Sequence, residues 1–189
     1  MALKKIDYEY KAVNLLKGEQ RSAEYLEVNP SGKVPALVID GHTISESMAA
    51  IEYLEETRKD GVSLLPSDPF KRAQVRTLAL RIITGIQPIQ NLVVLQKLDE
   101  SKRAEWGHHW IKAGFESLEK ELRQLSGKYC LGDELTVADI ALVPQVYNAL
   151  RFKVDLNEFP TIKRLNEDLL KEDAFRVSAP DCQPDTPQA

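Results

Sequence analysis

SGKVPALVIDGHTISES, residues 31–47, holds two short strand-like runs around a tight turn and then reaches a serine at the start of a helix. Ala36 to Asp40 is aliphatic and β-branched, Gly41-His42 reads as the turn, and Thr43-Ile44 opens a return strand, so the stretch predicts a β-hairpin. Pro35 has no amide hydrogen and suits the first residue of a strand. With a cis Val34–Pro35 bond, the amide and carbonyl of Val34 would turn outward and pair with an extended ligand as an added strand does. With a trans bond Pro35 is an ordinary loop proline, and the residues leave both open. Ser47 begins a helix whose free amides and positive dipole end suit an anion, while Glu46 can accept from an ammonium group. The two together match the carboxylate and amine of an amino-acid head. A serine in that place also serves simply as a cap.

The pattern extends on both sides. Alternation over Tyr8–Leu15 predicts a mixed strand, and RSAEYLEV (21–28) a short helix. From Ser47 a helix follows, buried through Met48, Ile51, Tyr53 and Leu54 and exposed through Glu52, Glu55, Glu56 and Arg58. Strand, helix, strand, strand, helix makes residues 1–58 an α/β unit. KDGVSLLPSDP (59–69) has the Gly, Ser, Pro and Asp content of a linker. Residues 70–189 read as all-helical: one helix over 70–98 bent at Gly85 and Pro88, and a second near 103–125 burying Trp106, Trp110, Ile111, Phe115, Leu118 and Leu122. In LTVADI (135–140), Thr136 and Asp139 form a capping box with Leu135 and Ile140 as a hydrophobic staple. A final helix starts at 161 or 162, and the proline-spaced tail 180–189 is irregular.

Composition narrows the chemistry. With 43% hydrophobic residues in 189, the chain can bury a substantial core. Its 25 Lys and Arg against 29 Asp and Glu are interspersed, which argues against nucleic acid or an anionic membrane as partner. Lys71, Arg72, Arg76 and Arg81 read as the wet side of the third helix. No run of about 18 uninterrupted apolar residues occurs and MALKKIDYEY has no secretory features, so the expected location is the cytoplasm. Cys130 and Cys182 form no CxxC, which removes a thioredoxin-type redox role. His42, His108 and His109 lack the spacing of a metal site.

NPSGKVPALVIDG (29–41) followed by SESMAAIEYLEE (45–56) resembles the glutathione site of the glutathione transferase superfamily, and LTVAD (135–139) fits its helical half. More narrowly, GIQPIQNL (85–92), YCLGDELTVADIALVPQV (129–146), LRFKVDL (150–156) and CQPDTP (182–187) look like the zeta class, the maleylacetoacetate isomerases. The resemblance implies a thioredoxin-like domain joined to an all-α domain, in a homodimer that uses glutathione. It implies isomerisation of maleylacetoacetate to fumarylacetoacetate in tyrosine and phenylalanine catabolism, with transferase activity on small α-halo acids. Carried over by position, Val34 beside Pro35 pairs with the cysteinyl backbone of glutathione, and Glu46 and Ser47 hold its γ-glutamyl end. Gln20, Gln87 and Asn91 line the glutathione and substrate pocket, and Arg151 orients a carboxylate of a small dicarboxylic keto acid. Taken alone, the three amides also read as solvated residues and Arg151 as half of a surface ion pair.

One departure stands out. Zeta-class chains begin with a strand and an SSCSW-like helix start whose serine hydroxyl hydrogen-bonds the glutathione sulfur; no such segment occurs here, and ALKKIDYEY looks like the end of that first helix. The expectation is an incomplete thioredoxin-like domain, no catalytic residue in this chain, and little activity, because a thiol of pKa near ~8.5 needs help to ionise at neutral pH. A non-catalytic scaffold built on the helical domain is the competing reading.

Overall fold

The computed structural model describes residues 1–186, in two compact units: essentially residues 3–61 and residues 62–186. In the first unit, α1 (Ala23–Val28) starts where the Ser22 side chain accepts from the Tyr25 amide. Strands β1 (Ala36–Ile39) and β2 (His42–Ser45) pair antiparallel, Ala36 opposite Ser45 and Ile39 opposite His42. The turn is Asp40-Gly41, one residue earlier than expected. Both have positive φ, 53° and 76°, as a two-residue hairpin turn matching strand twist requires, so His42 is free to join β2. The strand expected over Tyr8–Leu15 does not form: the sheet among the described residues is β1–β2 alone, and an extended segment without a hydrogen-bonded neighbour is not a strand.

Helix α2 (Ser47–Thr57) packs its start against β2 and is tied at its other end. The Arg58 guanidinium grips both carboxylate oxygens of Asp40 at 2.7 and 2.8 Å, and the Tyr53 hydroxyl donates to the same group at 2.7 Å. The hydrogen bonds from Arg58 and Tyr53 hold the Asp40 carboxyl below its ordinary range. Glu55, expected on the wet face, is buried, because Lys4 reaches it at 2.6 Å and also donates to the Arg58 carbonyl at 3.0 Å. A buried carboxylate without that ammonium would cost several kcal/mol.

The second unit is helical. Helix α3 (Pro69–Gly85) begins with Asp68 accepting from the Lys71 amide at 2.7 Å. The expected bend near Gly85 and Pro88 is a full break: a 3-10 turn, Gln87–Gln90, and the single-turn α4 (Leu92–Leu95) follow, since Pro88 can neither donate nor accommodate the carbonyl four residues back. Residues 69–95 are apolar enough by composition to cross a membrane; here the run is broken, and α3 buries Val75, Leu78, Ala79 and Ile82.

Helix α5 (Glu100–Leu125) buries Gly107, Ile111, Phe115, Leu118 and Leu122. That stripe leaves Trp110 38% exposed, contrary to expectation. The Phe152 ring lies on Gly107, where a Cβ would come within 2.2 Å of it, while Ile111, Phe115, Leu118 and Leu122 are buried as expected.

Helix α6 (Val137–Arg151) starts at the expected capping box. The buried Asp139 carboxylate accepts from the Thr136 amide and hydroxyl at 2.8 and 2.9 Å, and also from the Cys130 amide at 2.8 Å. Burial, with Asp139 nearby, pushes the Cys130 thiol well up, which makes it an inert core group. Leu135 and Ile140 pack on the cluster of Tyr129, Leu169 and Phe175. Helices α7 (Pro160–Leu169) and α8 (Asp173–Val177) complete the unit; the expected irregular tail contains a short 3-10 turn, Pro180–Cys182, and its last three residues lie outside the described ones.

The amides at the start of α7 are met from another helix. Glu119 of α5 accepts from Thr161 and Ile162, each at 3.0 Å, and from Arg123 at 3.0 Å. Burial opposes its charge, yet these hydrogen bonds prevail and hold its carboxyl below the ordinary glutamate range. A depressed folded pKa adds stability above the unfolded value of about 4.3 and loses it as pH falls through the folded value. Glu119→Gln is therefore expected to cost about 2–3 kcal/mol at pH 7 in urea unfolding. Its disadvantage should shrink steadily below about pH 4.

Candidate glutathione site

The loop leading into β1 is built by two residues that sequence reasoning passed over. The Tyr25 hydroxyl and the Asn29 side-chain amide both donate to the Lys33 carbonyl at 2.7 Å. The buried Asn29 also accepts from the amide and hydroxyl of Ser31 at 3.1 and 2.8 Å, closing an Asx turn over Pro30. Asn-Pro at 29–30 was the signal that could have found it. Lys33 is thereby occupied, and Val34 is presented next.

Of the two possibilities left open, the Val34–Pro35 peptide is cis. Val34 is 42% exposed, and neither its amide nor its carbonyl has a partner among the described residues. The ladder ends at Ala36 opposite Ser45, so Val34 and Pro35 directly precede β1 and Glu46 and Ser47 directly follow β2 at the open end of the hairpin. Glu46 stands at φ 74°, ψ 122°, a conformation a non-glycine residue holds only at a cost of about 1–3 kcal/mol. Held so, it leaves α2 with no side-chain cap, and the amides of its first turn stay free for an acceptor brought from outside.

Gln20 lies in the 3-10 turn Glu19–Arg21, with its backbone carbonyl 3.2 Å from where a Cβ on Gly32 would stand. Only 8% exposed, it buries Oε1 without a partner among the described residues, which excludes the solvated alternative. A buried acceptor left empty is costly unless a ligand completes it. The first unit carries all five: Val34 and Pro35 precede β1 and Glu46 and Ser47 follow β2 at one hairpin end, while Gln20 lies in the 3-10 turn beside Gly32.

The other three expected residues belong to the second unit. Gln87 opens the 3-10 turn and is half-buried; Asn91, exposed, precedes α4 and makes no side-chain cap. Arg151, exposed, ends α6, where one guanidinium nitrogen meets Asn148 Oδ1 at 3.2 Å. It pairs with no carboxylate among the described residues, so the surface ion pair is not formed and its fork is available to an anion. Among the described residues no cluster of metal-ligating side chains occurs.

Residues 1–57 match the glutathione S-transferase N-terminal domain and residues 110–171 the C-terminal domain. Probable maleylacetoacetate isomerase 1 of Drosophila melanogaster is 52% identical over 190 residues, an alignment covering 99% of this chain and 77% of that protein. A bacterial maleylpyruvate isomerase of the zeta class, solved in its holo form, superposes with a TM-score of 0.94 at 39% identity, over 98% of this chain and 91% of that one. The chain belongs to the zeta-class glutathione transferase family. Its architecture is that family's thioredoxin-like domain followed by an all-helical domain. A second relative, the maleylacetoacetate isomerase of Methylobacterium extorquens AM1, was solved with malonate and glutathione bound. It gives a TM-score of 0.94 at 34% identity, over 99% of this chain and 91% of that one.

Asn29→Ala strips Lys33 of one of its two donors and opens the Asx turn. The expected outcome is a loss of about 1–3 kcal/mol in thermal or urea unfolding. Amide exchange should quicken across residues 29–35 while that of α6 stays unchanged.

Proposed function

We propose that this chain serves glutathione-dependent cis-trans isomerisation of maleylacetoacetate to fumarylacetoacetate, a step of tyrosine and phenylalanine breakdown, with small α-halo acids as secondary substrates. The observation that carries the reading is the open end of the hairpin, where an unpartnered Val34 backbone precedes β1 and the uncapped start of α2 follows β2, together with the empty acceptor of Gln20 in the same unit. That set fits a γ-glutamyl tripeptide. Val34 pairs with the cysteinyl backbone as an added strand would. Ser47 and the first amides of α2 take the γ-glutamyl carboxylate, Glu46 accepts from its ammonium group, and Gln20 receives an amide hydrogen.

When bound, glutathione supplies a sulfur nucleophile that adds reversibly to the cis double bond, and rotation about the resulting single bond before elimination gives the trans isomer. Gln87 and Asn91 orient the reactants, and Arg151 holds a substrate carboxylate by paired hydrogen bonds. Residues 1–58 form the glutathione-binding domain, 59–69 the linker and 70–189 the helical domain, in a cytoplasmic homodimer. The malonate and glutathione bound by the Methylobacterium relative support the pairing of thiol and dicarboxylate.

Residues 1–189 contain no SSCSW-like segment to donate a hydrogen bond to the sulfur. A polypeptide of these residues alone is therefore expected to bind glutathione but to isomerise slowly.

Two measurements check the reading. In calorimetric titration with glutathione, Ser47→Ala should weaken binding by roughly tenfold, since it removes a hydrogen bond to a charged group. Binding equal to the parent, or none in either protein, would overturn the site. In a maleylacetone isomerase assay, an in-frame upstream segment carrying a strand and a serine-bearing helix start should raise turnover by about two orders of magnitude, the scale of a lost transition-state donor. A folded, extended protein without activity would leave the scaffold reading in possession.

A further inference from the structure

Gln90 and Gln145 form a buried amide pair that makes none of the proposed ligand contacts. Gln90 Nε2 donates to Gln145 Oε1 at 2.6 Å, with the two residues 7% and 0% exposed. The atoms left over, Gln90 Oε1 and Gln145 Nε2, are buried without a partner among the described residues. Two orphaned amide atoms cost more than one neutral hydrogen bond returns, so two apolar side chains of similar shape would serve folding as well or better. Stability does not account for the pair.

Position does. Helix α3 stops at Gly85, Pro88 has no amide hydrogen, and the backbone bond that closes the 3-10 turn, from the Asn91 amide to the Pro88 carbonyl, is 3.3 Å long. Weak local bonding leaves residues 87–91 dependent on side chains from elsewhere. Two provide the hold: the Trp106 indole of α5 donates to the Ile89 carbonyl at 3.0 Å, and Gln145 of α6 receives Gln90. Gln87 opens this turn and Asn91 follows it immediately.

We propose that the Gln90–Gln145 pair is a positioning device, fixing the turn so that the Gln87 and Asn91 side chains are held in the arrangement in which they contact their ligands. The inference rests on the reading of Gln87 and Asn91 as ligand contacts given above. A small displacement of such contacts weakens recognition steeply, whereas a core-packing role would leave recognition untouched wherever the protein is folded.

The test is the double variant Gln90→Met/Gln145→Met, which keeps side-chain length and removes all four polar atoms. Its melting temperature should equal or exceed that of the parent. Amide exchange over residues 86–96 should be at least about tenfold faster, and affinity for malonate, titrated with glutathione present, roughly tenfold weaker. Parental exchange over 86–96, or a lowered melting temperature with unchanged malonate affinity, would overturn the proposal. Asn91→Ala separates the two levels. If it binds malonate like the parent, or if the parent binds none, the underlying reading falls and the inference with it. If it binds weakly while the double variant binds normally, only the inference falls.

Discussion

The register of a hairpin of two four-residue strands decides where the free backbone groups at its open end stand. Asp40 and Gly41 both occupy left-handed backbone, and only that two-residue turn makes Ile39 face His42 and, at the far end, Ala36 face Ser45. A slip of one residue would turn every side chain of the slipped strand to the opposite face. So short a ladder needs outside support. It comes from the Arg58 and Tyr53 hydrogen bonds to Asp40, and from the Tyr25 and Asn29 bonds to Lys33. The turn end and the entry loop are each held by side chains from neighbouring helices. Between them the hairpin end is free to present backbone groups.

The second unit solves a related problem with buried carboxylates. Asp139 meets amides from its own helix start and from Cys130, nine residues earlier. Glu119 meets the first amides of α7 across 42 and 43 residues. In both, a negative charge faces the positive end of a helix, so the cost of burial is offset by several charge-assisted hydrogen bonds at once. These contacts set the placement of α5, α6 and α7, and α6 in turn carries Arg151 at its last turn. The start of α2 has no side-chain cap, as is also true of α4, α5 and α8, and its first amides remain open to an acceptor from outside.

Much of this was legible in the residues. The hairpin and the Thr136–Asp139 box are local signals that survive without knowledge of the fold, although the turn falls at Asp40-Gly41 rather than Gly41-His42 and the Asn-Pro signal was passed over. Misjudged were features that depend on what lies opposite. Trp110 matched the apolar spacing of α5, yet it is 38% exposed, while Gly107, under the Phe152 ring, is buried. Glu55 looked solvated because Lys4, 51 residues away in sequence, gave no sign of reaching it. Tyr8–Leu15 alternates like a strand, but alternation is only permission to pair, and no described strand lies beside it.

The amino-acid order by itself determined the α/β-then-helical division, the hairpin, the helix caps and the resemblance to a glutathione-binding family. All of these are written in contiguous residues whose backbone preferences and hydrogen bonds are settled within a turn or two. Tertiary structure alone decided that Val34 keeps both backbone groups free, that Glu46 adopts a left-handed φ, and that Gln20, Gln90 and Gln145 are buried with unmet atoms. Burial and the absence of a partner are properties of the surroundings, set by residues far away in the chain. No window of sequence contains them.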